Sequence, residues 1–118
     1  MIFIPGNTPS SKNSRVWTGK FFIASKLVAR YRKNTAPVWE ANKSAFQSMT
    51  AGMPKPLRIK FKFIRDSRRK FDLINPLQTI QDEMVHHGWI PDDNADELIP
   101  VLEPHTIDKE NPGCIISI

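Results

Sequence analysis

The chain has 118 residues, of which 40% are hydrophobic and 25% charged, and its formal net charge is +5. This length allows one domain with a single core, and the composition is that of an ordinary soluble globular protein. The positive charge favours a polyanionic partner, with nucleic acid the leading candidate and a membrane surface the weaker one. The single cysteine, Cys114, excludes an intrachain disulfide and suits a reduced compartment. The apolar start ends at Pro5, too early for a signal peptide, so we expect a soluble cytoplasmic protein with no membrane segment.

Two short apolar segments and a polar loop make up the first part of the chain. Residues 2–4 predict a strand, and residues 21–23 predict the strand that returns from the loop. Residues 7–20 are rich in Asn, Ser, Thr and Gly, so this loop could offer amides, hydroxyls and cations to phosphates. A solvated hairpin loop explains the same composition, and both interpretations stay open. The side chains that we expect to contact phosphates are Lys12, Asn13 and Arg15.

A helix and an alternating strand are predicted next. Residues 34–49 predict a helix, because an Asn-Thr-Ala-Pro start is followed by apolar residues at helical spacing. Just before it, the basic stretch 30–33 contains Tyr31, which could stack on an unpaired base, although such a charge run is usually a solvated surface. Residues 57–63 alternate apolar and basic side chains, so they predict a half-buried strand with one basic face.

A basic cluster of three residues lies directly before a carboxylate. Arg68, Arg69 and Lys70 precede Asp72, and we expect these three cations to hold phosphates, with a solvated turn as the alternative. A basic surface beside a carboxylate suits an enzyme that holds a phosphate backbone and acts on it with a metal ion.

A second helix is predicted immediately after this cluster. Asn75 suits the N-cap, Pro76 the first helical position, and Gln78 the position of a capping-box partner. Gly88 suits the end of the helix. The apolar residues at helical spacing, which we expect on its buried face, are Leu77, Ile80 and Met84.

Further carboxylates lie within and after this helix. Asp82 falls about 40° from Gln78 around the helix axis and one turn along, so both should share a strip that begins beside Asp72. Asp92 and Asp93 follow the helix, and adjacent residues in extended chain point in opposite directions, so Asp92 could support the turn instead of binding an ion. Oxygen donors favour a hard cation such as Mg²⁺. The candidate metal ligands are therefore Asp72, Asp82, Asp92 and Asp93.

The last quarter of the chain predicts two more strands. Residues 98–101 form one, and residues 114–118 form another after a turn at 111–113. The terminal strand could pair within the sheet or across a dimer, and the sequence leaves both arrangements open. Residues 1–118 are thus predicted to form one α+β domain, with a mixed or antiparallel sheet of four to five strands and two helices.

The segment around the second helix resembles the core motif of the RusA-type Holliday junction resolvases. The residues that carry the resemblance are Asp72-Leu73-Ile74-Asn75, Asp82, Gly88 and Asp92-Asp93, and Pro9-Ser10-Ser11-Lys12-Asn13 resembles the first loop of that family. Ile74 stands where the family usually has its second aspartate, and Gln78 where it usually has a lysine. If residues 72–74 are extended, Ile74 points to the same side as Asp72. If the site instead works with Asp72, Asp93 and Asp82, we expect Ile74 to pack against apolar neighbours, and we favour this second arrangement.

The resemblance implies a homodimeric endodeoxyribonuclease that uses Mg²⁺, or Mn²⁺, to cleave Holliday junctions or other branched DNA by phosphodiester hydrolysis. It implies catalytic roles for Asp72, Asp93, Asn75 and Gln78, in a bacterial or phage-infected cell. One alternative is a protein of the same fold that binds branched DNA and cleaves weakly or not at all. The other is a basic nucleic-acid-binding module without a metal site.

Overall fold

The computed structural model describes residues 1–10, 15–17, 22–24 and 26–118, with the backbone alone for 15–17 and 22–24. The described residues confirm the predicted α+β class, with two helices and a mixed sheet of five strands. Neither helix is long and apolar enough to cross a membrane, as far as the described residues show. The elements are β1 Ile2–Pro5, β2 Arg15–Trp17, β3 Phe22–Ala24, α1 Lys26–Thr50, β4 Leu57–Arg65, α2 Ile74–His86, β5 Leu98–Leu102, β6 Thr106–Ile107 and β7 Gly113–Ser117.

Strand β4 is the centre of the main sheet. On one edge it pairs antiparallel with β7, which pairs antiparallel with β1. On its other edge it pairs in parallel with β5 and, farther along, with β6. The terminal strand β7 therefore pairs within the sheet, which decides between the two arrangements left open by the sequence. Strands β2 and β3 form a separate antiparallel pair, and β2 lies inside the segment 7–20 that was predicted as a polar loop.

The alternation along β4 places its apolar side chains on one face of the sheet, as predicted. Arg58 and Lys60 lie exposed on the opposite face. The strand register aligns Phe63 with Cys114 and Cys114 with Ile4, so the buried face continues across three strands. Cys114 is core filling, and burial raises the pKa of its thiol. The helix and strand side chains that pack against this face include Trp39, Phe46, Leu77, Ile80, Met84, Ile59, Phe61 and Ile116.

Helix α1 begins at Lys26, eight residues before the predicted start, and Pro37 lies inside it. Its buried residues recur at helical spacing from the first turn onward, so burial of this face outweighs the cost of an internal proline. The Thr35 hydroxyl does not cap a helix. It donates to the Tyr31 carbonyl oxygen at 2.8 Å and accepts from Trp39 Nε1 at 3.1 Å. Tyr31 is buried, so the prediction that it could stack on a base is wrong.

Helix α2 begins at Ile74, and its N-cap is Leu73, which makes no side-chain capping bond. The predicted N-cap role of Asn75 is therefore wrong, because Asn75 already lies in the first helical turn. Gln78 closes no capping box either. The buried face of α2 is the predicted one, and Gly88 adopts φ +73° just after the helix, as expected for a residue that ends it.

A buried ionic chain ties α1 to α2. Glu83 on α2 is only 1% exposed, and its Oε1 lies 2.7 Å from Arg32 Nε in an ion pair without hydrogen-bond geometry. His87 places Nε2 3.2 Å from Glu83 Oε2 and Nδ1 2.6 Å from Glu40 Oε1. Only the doubly protonated imidazole can donate to both carboxylates. The chain therefore joins the two helices most completely when His87 is charged and both glutamates are ionised.

Removal of the Glu40 carboxylate should change how the stability of the protein depends on pH. The hydrogen bond from His87 holds the pKa of Glu40 below its ordinary value of 4.5. The stabilisation from this pair is thus present above pH 4.5 and lost as the pH falls through the lowered pKa. We expect Glu40→Gln to lower the Tm relative to the parent above that pH and to match it in stronger acid.

Thermal unfolding followed by circular dichroism across this pH range checks the expectation. Glu110→Gln is the matched control, because Glu110 is exposed and has no ion pair among the described residues. A constant difference in Tm between Glu40→Gln and the parent at every pH would contradict a role for the ionised pair.

Candidate active site

The N-terminal loop is fastened to the end of β4 and to α2. Arg65 Nη1 donates to the Thr8 carbonyl oxygen at 2.7 Å, and Thr79 Oγ1 donates to the Pro9 carbonyl oxygen, also at 2.7 Å. The Asp66 amide donates to Asn7 Oδ1 at 3.1 Å. These bonds fix residues 7–10 beside the point where the chain leaves β4 and approaches the basic cluster.

A cleft of about 630 Å³ opens where β4 has ended and α2 begins. We call it the basic cleft, and it is lined by Arg68, Arg69, Lys70, Phe71, Asp72, Asn75 and His105. The structure therefore places the predicted cationic cluster on one concave surface with two of the predicted catalytic residues. The three cations and Asp72 are exposed, so a ligand in the cleft can reach them.

The basic cleft also contains His105, which the sequence analysis did not identify and which contacts Phe71. The Arg65 guanidinium lies 4.5 Å from the centroid of the Phe71 ring, and the His105 ring meets Phe71 edge-on at 4.8 Å. His105 belongs to the connection between β5 and β6, far from the motif in sequence. No spacing pattern marks it, so only the parallel pairing of β5 and β6 with β4 reveals its position.

Two of the predicted metal ligands meet at one amide nitrogen. Gln78 Nε2 donates to Asp82 Oδ1 at 2.8 Å and to Asp93 Oδ2 at 3.1 Å. We call this arrangement the Gln78 bridge. Gln81 Nε2 adds a longer contact to Asp93 Oδ2 at 3.4 Å. The predicted strip of α2 that carries Gln78 and Asp82 on one face is thus present, and Asp93 reaches it from the loop after the helix.

Asp92 supports the turn that presents Asp93. Its Oδ1 accepts from the Asp93 amide at 2.8 Å, and its Oδ2 accepts from Asn94 Nδ2 at 2.9 Å. The hydrogen bond from the Asp93 amide, followed by that from Asn94, holds the pKa of Asp92 below its usual value. Both carboxylate oxygens are thus engaged within the turn, which is the alternative that the sequence analysis left open for Asp92.

The basic cleft and the Gln78 bridge are neighbours on α2. Asn75 precedes Gln78 by three residues, so the two lie roughly 5 Å apart along the helix axis. Asp72 lines the cleft, whereas Asp82 and Asp93 meet at Gln78. Among the described residues, no group of three or more His, Cys, Asp or Glu side chains is arranged to hold a metal ion.

The N-terminal residues predicted to contact phosphates fall largely outside this description. Lys12 and Asn13 lie outside the described residues, and only the backbone of Arg15, in β2, is described. Residues 7–10, which precede this segment in the chain, are hydrogen-bonded to the end of β4.

Comparison of the chain with protein-family models and with curated proteins gives no match. The resemblance to RusA-type resolvases therefore depends on the motif residues alone.

Ile74 is 65% exposed, so the expectation that it packs against apolar neighbours is wrong. The reason is local: Leu73 has helical angles of φ −55° and ψ −34°, and Ile74 opens α2 with its side chain outside the buried face. An aspartate at this position would lie in a first helical turn that contains no acidic residue.

We expect Ile74→Asp to leave the Tm unchanged or to raise it slightly, because a carboxylate at a helix N-terminus typically stabilises by about 0.3–1 kcal/mol. Ile80→Asp is the matched control on the same helix. Ile80 is 0% exposed, and an unpaired buried carboxylate there should cost several kcal/mol. Thermal unfolding of both variants measures the difference. Equal losses of stability would show that Ile74 is covered in solution, for example by a partner subunit.

Proposed function

We propose that the chain is a metal-dependent endodeoxyribonuclease that cleaves four-way or other branched DNA by phosphodiester hydrolysis. It would act as a homodimer in the cytoplasm of a bacterial or phage-infected cell. The observation that carries the proposal is the basic cleft, which combines three adjacent cations with Asp72 and Asn75. Gln78, one helical turn after Asn75, hydrogen-bonds two further carboxylates. The resemblance of the same residues to RusA-type resolvases supports the choice of substrate.

The donor set suits Mg²⁺ or Mn²⁺. Magnesium keeps several waters and is often held by only one or two protein carboxylates, so a large cluster is not required. One or two of the carboxylates Asp72, Asp82 and Asp93 would hold the ion, which would supply an activated water and neutralise charge on the phosphoryl oxygens.

The remaining residues of the cleft have separate tasks in the proposed reaction. Arg68, Arg69 and Lys70 bind the phosphates on either side of the bond to be cut and fix the strand in the cleft. The Asn75 side chain can orient a phosphate oxygen or a water. His105 can hold or donate a proton beside the phosphate, and its contact with Phe71 limits its orientation.

The homodimer follows from the substrate. Paired nicks on opposed strands of a four-way junction require two sites related by a two-fold axis, which one copy of this chain does not provide.

One observation favours a second candidate, a protein that binds branched DNA and cleaves it weakly. Gln78 engages Asp82 and Asp93 together, so a bound ion would have to displace or share these hydrogen bonds. Calorimetric titration with Mg²⁺ distinguishes the candidates, because the nuclease should release or absorb heat that is lost in Asp72→Asn and Asp93→Asn. The same titration of a binding protein without a metal site should give no such heat.

Substitution of the Asp72 and Asp93 carboxylates is the most direct test of the proposed chemistry. We expect Asp72→Asn and Asp93→Asn each to abolish cleavage of a labelled synthetic four-way junction in Mg²⁺, while junction binding stays near the parent level or becomes tighter. Loss of a negative charge reduces repulsion of the phosphates, whereas metal binding requires the carboxylate. Gel analysis of products with and without Mg²⁺, beside a linear duplex of the same sequence, measures cleavage.

Asp96→Asn is the matched control, since it removes the same charge from an exposed side chain only three residues after Asp93. It should cleave at the parent rate. If Asp72→Asn and Asp93→Asn also cut at the parent rate, the proposed metal ligands are wrong.

The cations of the basic cleft should determine the salt dependence of binding. If Arg68 and Arg69 each neutralise one phosphate, alanine at either position should weaken binding at all sequences and lower the slope of log K against log salt by roughly one. Fluorescence anisotropy over a salt series measures the slope. Lys33→Ala is the control, because Lys33 is exposed on α1 and does not line the cleft. Unchanged slopes in both arginine variants would assign these residues to the solvated surface.

A further inference from the structure

A second cleft shares a wall formed by Arg69, Lys70 and Phe71 with the basic cleft. It has a volume of about 370 Å³, and its other lining residues include Ser10 from the N-terminal loop and Leu27 from α1. The same three wall residues line the basic cleft. A chain that passes over this wall would therefore place consecutive units in the two clefts.

The second cleft contains a polar atom that lacks a partner. Ser10 Oγ is buried and makes no hydrogen bond to any described residue. Burial of a hydroxyl without a partner is unfavourable, and such groups usually meet a ligand or a water. Ser10 directly follows Thr8 and Pro9, whose carbonyl oxygens accept from Arg65 and Thr79, so this hydroxyl is held next to the cleft by the fold.

The cleft also presents apolar surface where solvent can reach it. Leu27 is 62% exposed although it lies in a helix with a large buried face on its other side. The Phe71 ring is partly exposed, and the Arg65 guanidinium fixes its position from one side. The cleft thus combines an apolar wall, an unpaired hydroxyl and three cations, Arg65, Arg69 and Lys70, which are the features that bind the face of a base, a polar edge and a phosphate.

We propose that the second cleft binds one unpaired nucleotide next to the phosphate held in the basic cleft. Arg69 and Lys70 would hold the phosphate between the two nucleotides, Phe71 and Leu27 would contact the base, and Ser10 Oγ would bond to its edge or to the sugar. The volume of about 370 Å³ lies near the lower end of ligand pockets, which suits a ligand as small as a single nucleotide.

This inference rests on the proposed function and explains how the site distinguishes a branch point from plain duplex. A base must leave its stack to enter the cleft, and this costs least where the duplex is already interrupted. Phosphate contacts in the basic cleft would then supply affinity for any DNA, and the second cleft would supply the preference for branched DNA.

The test uses four-way junctions that carry 2-aminopurine at successive positions beside the cut site, with Ca²⁺ in place of Mg²⁺ to prevent cleavage. We expect a rise in fluorescence at one position when the parent binds, because the base leaves the stack. Ser10→Ala and Leu27→Ala should reduce this rise. Ile107→Ala is the control, since it removes a partly exposed apolar side chain from β6, outside both clefts.

A second measurement compares the affinity of the protein for duplex with one unpaired nucleotide and for fully paired duplex. The parent should prefer the unpaired form by about tenfold or more, the amount expected from contact of one base with an aromatic ring. Ser10→Ala and Leu27→Ala should move this ratio towards one while their affinity for paired duplex stays unchanged. Circular dichroism confirms that both variants are folded.

The outcomes separate this inference from the proposed function. Cleavage of junctions by the parent without a fluorescence change at any position would overturn the second cleft and leave the nuclease in place. A parental rise in both cleft variants would also overturn it, since the base would then bind elsewhere. Failure of the parent both to prefer branched DNA and to cut it would reject the nuclease and the nucleotide cleft together.

Discussion

The alternation of side chains along β4 is the constraint on which the rest of the structure depends. Because successive side chains of a strand point to opposite faces, Ile59, Phe61 and Phe63 all enter the core, and both helices must cover that one face. The strand pairs on both edges, so its path is rigid. Its last residue, Arg65, then fastens the N-terminal loop and supports Phe71. The position of both clefts is therefore a consequence of where β4 ends.

The helix boundaries show where local sequence signals were misleading. An Asn-Thr-Ala-Pro segment is a common helix start, yet here it lies inside α1, because buried residues at helical spacing begin earlier, at Val28. Asn75 followed by Pro76 gave a similar prediction for α2, with Pro76 as its first residue, and the helix starts two residues earlier, at Ile74. The strands were predicted well because their apolar patterns are regular. Two strands were missed: β2 lies inside the segment predicted as a polar loop, and the two exposed residues of β6 carry no pattern.

The same contrast holds within the site. The sequence could place Arg68, Arg69, Lys70, Asp72 and Asn75 together because they are contiguous, and helical spacing predicted that Gln78 and Asp82 share a face. The sequence could not predict contacts between segments that are distant along the chain. His105 and Ser10 reach the clefts only through the parallel pairing of β5 and β6 with β4 and through the hydrogen bonds of the N-terminal loop. Ser10 belongs to the segment that resembles the family's first loop, but that resemblance does not indicate which cleft it reaches, and His105 belongs to no motif.

The physical role of Gln78 bears directly on the choice between the two candidate functions. A lysine at this position would bring a positive charge to Asp82 and Asp93 and neutralise part of their charge. The Gln78 amide donates hydrogen bonds to both carboxylates but carries no charge, so their combined negative charge remains. Two like charges held close together are unfavourable unless a cation is near. Gln78 thus leaves more negative charge at the pair than a lysine would, but an ion that binds there must still displace or share the hydrogen bonds from its amide. The balance of these two opposing effects at position 78 separates the nuclease from the weakly cleaving candidate.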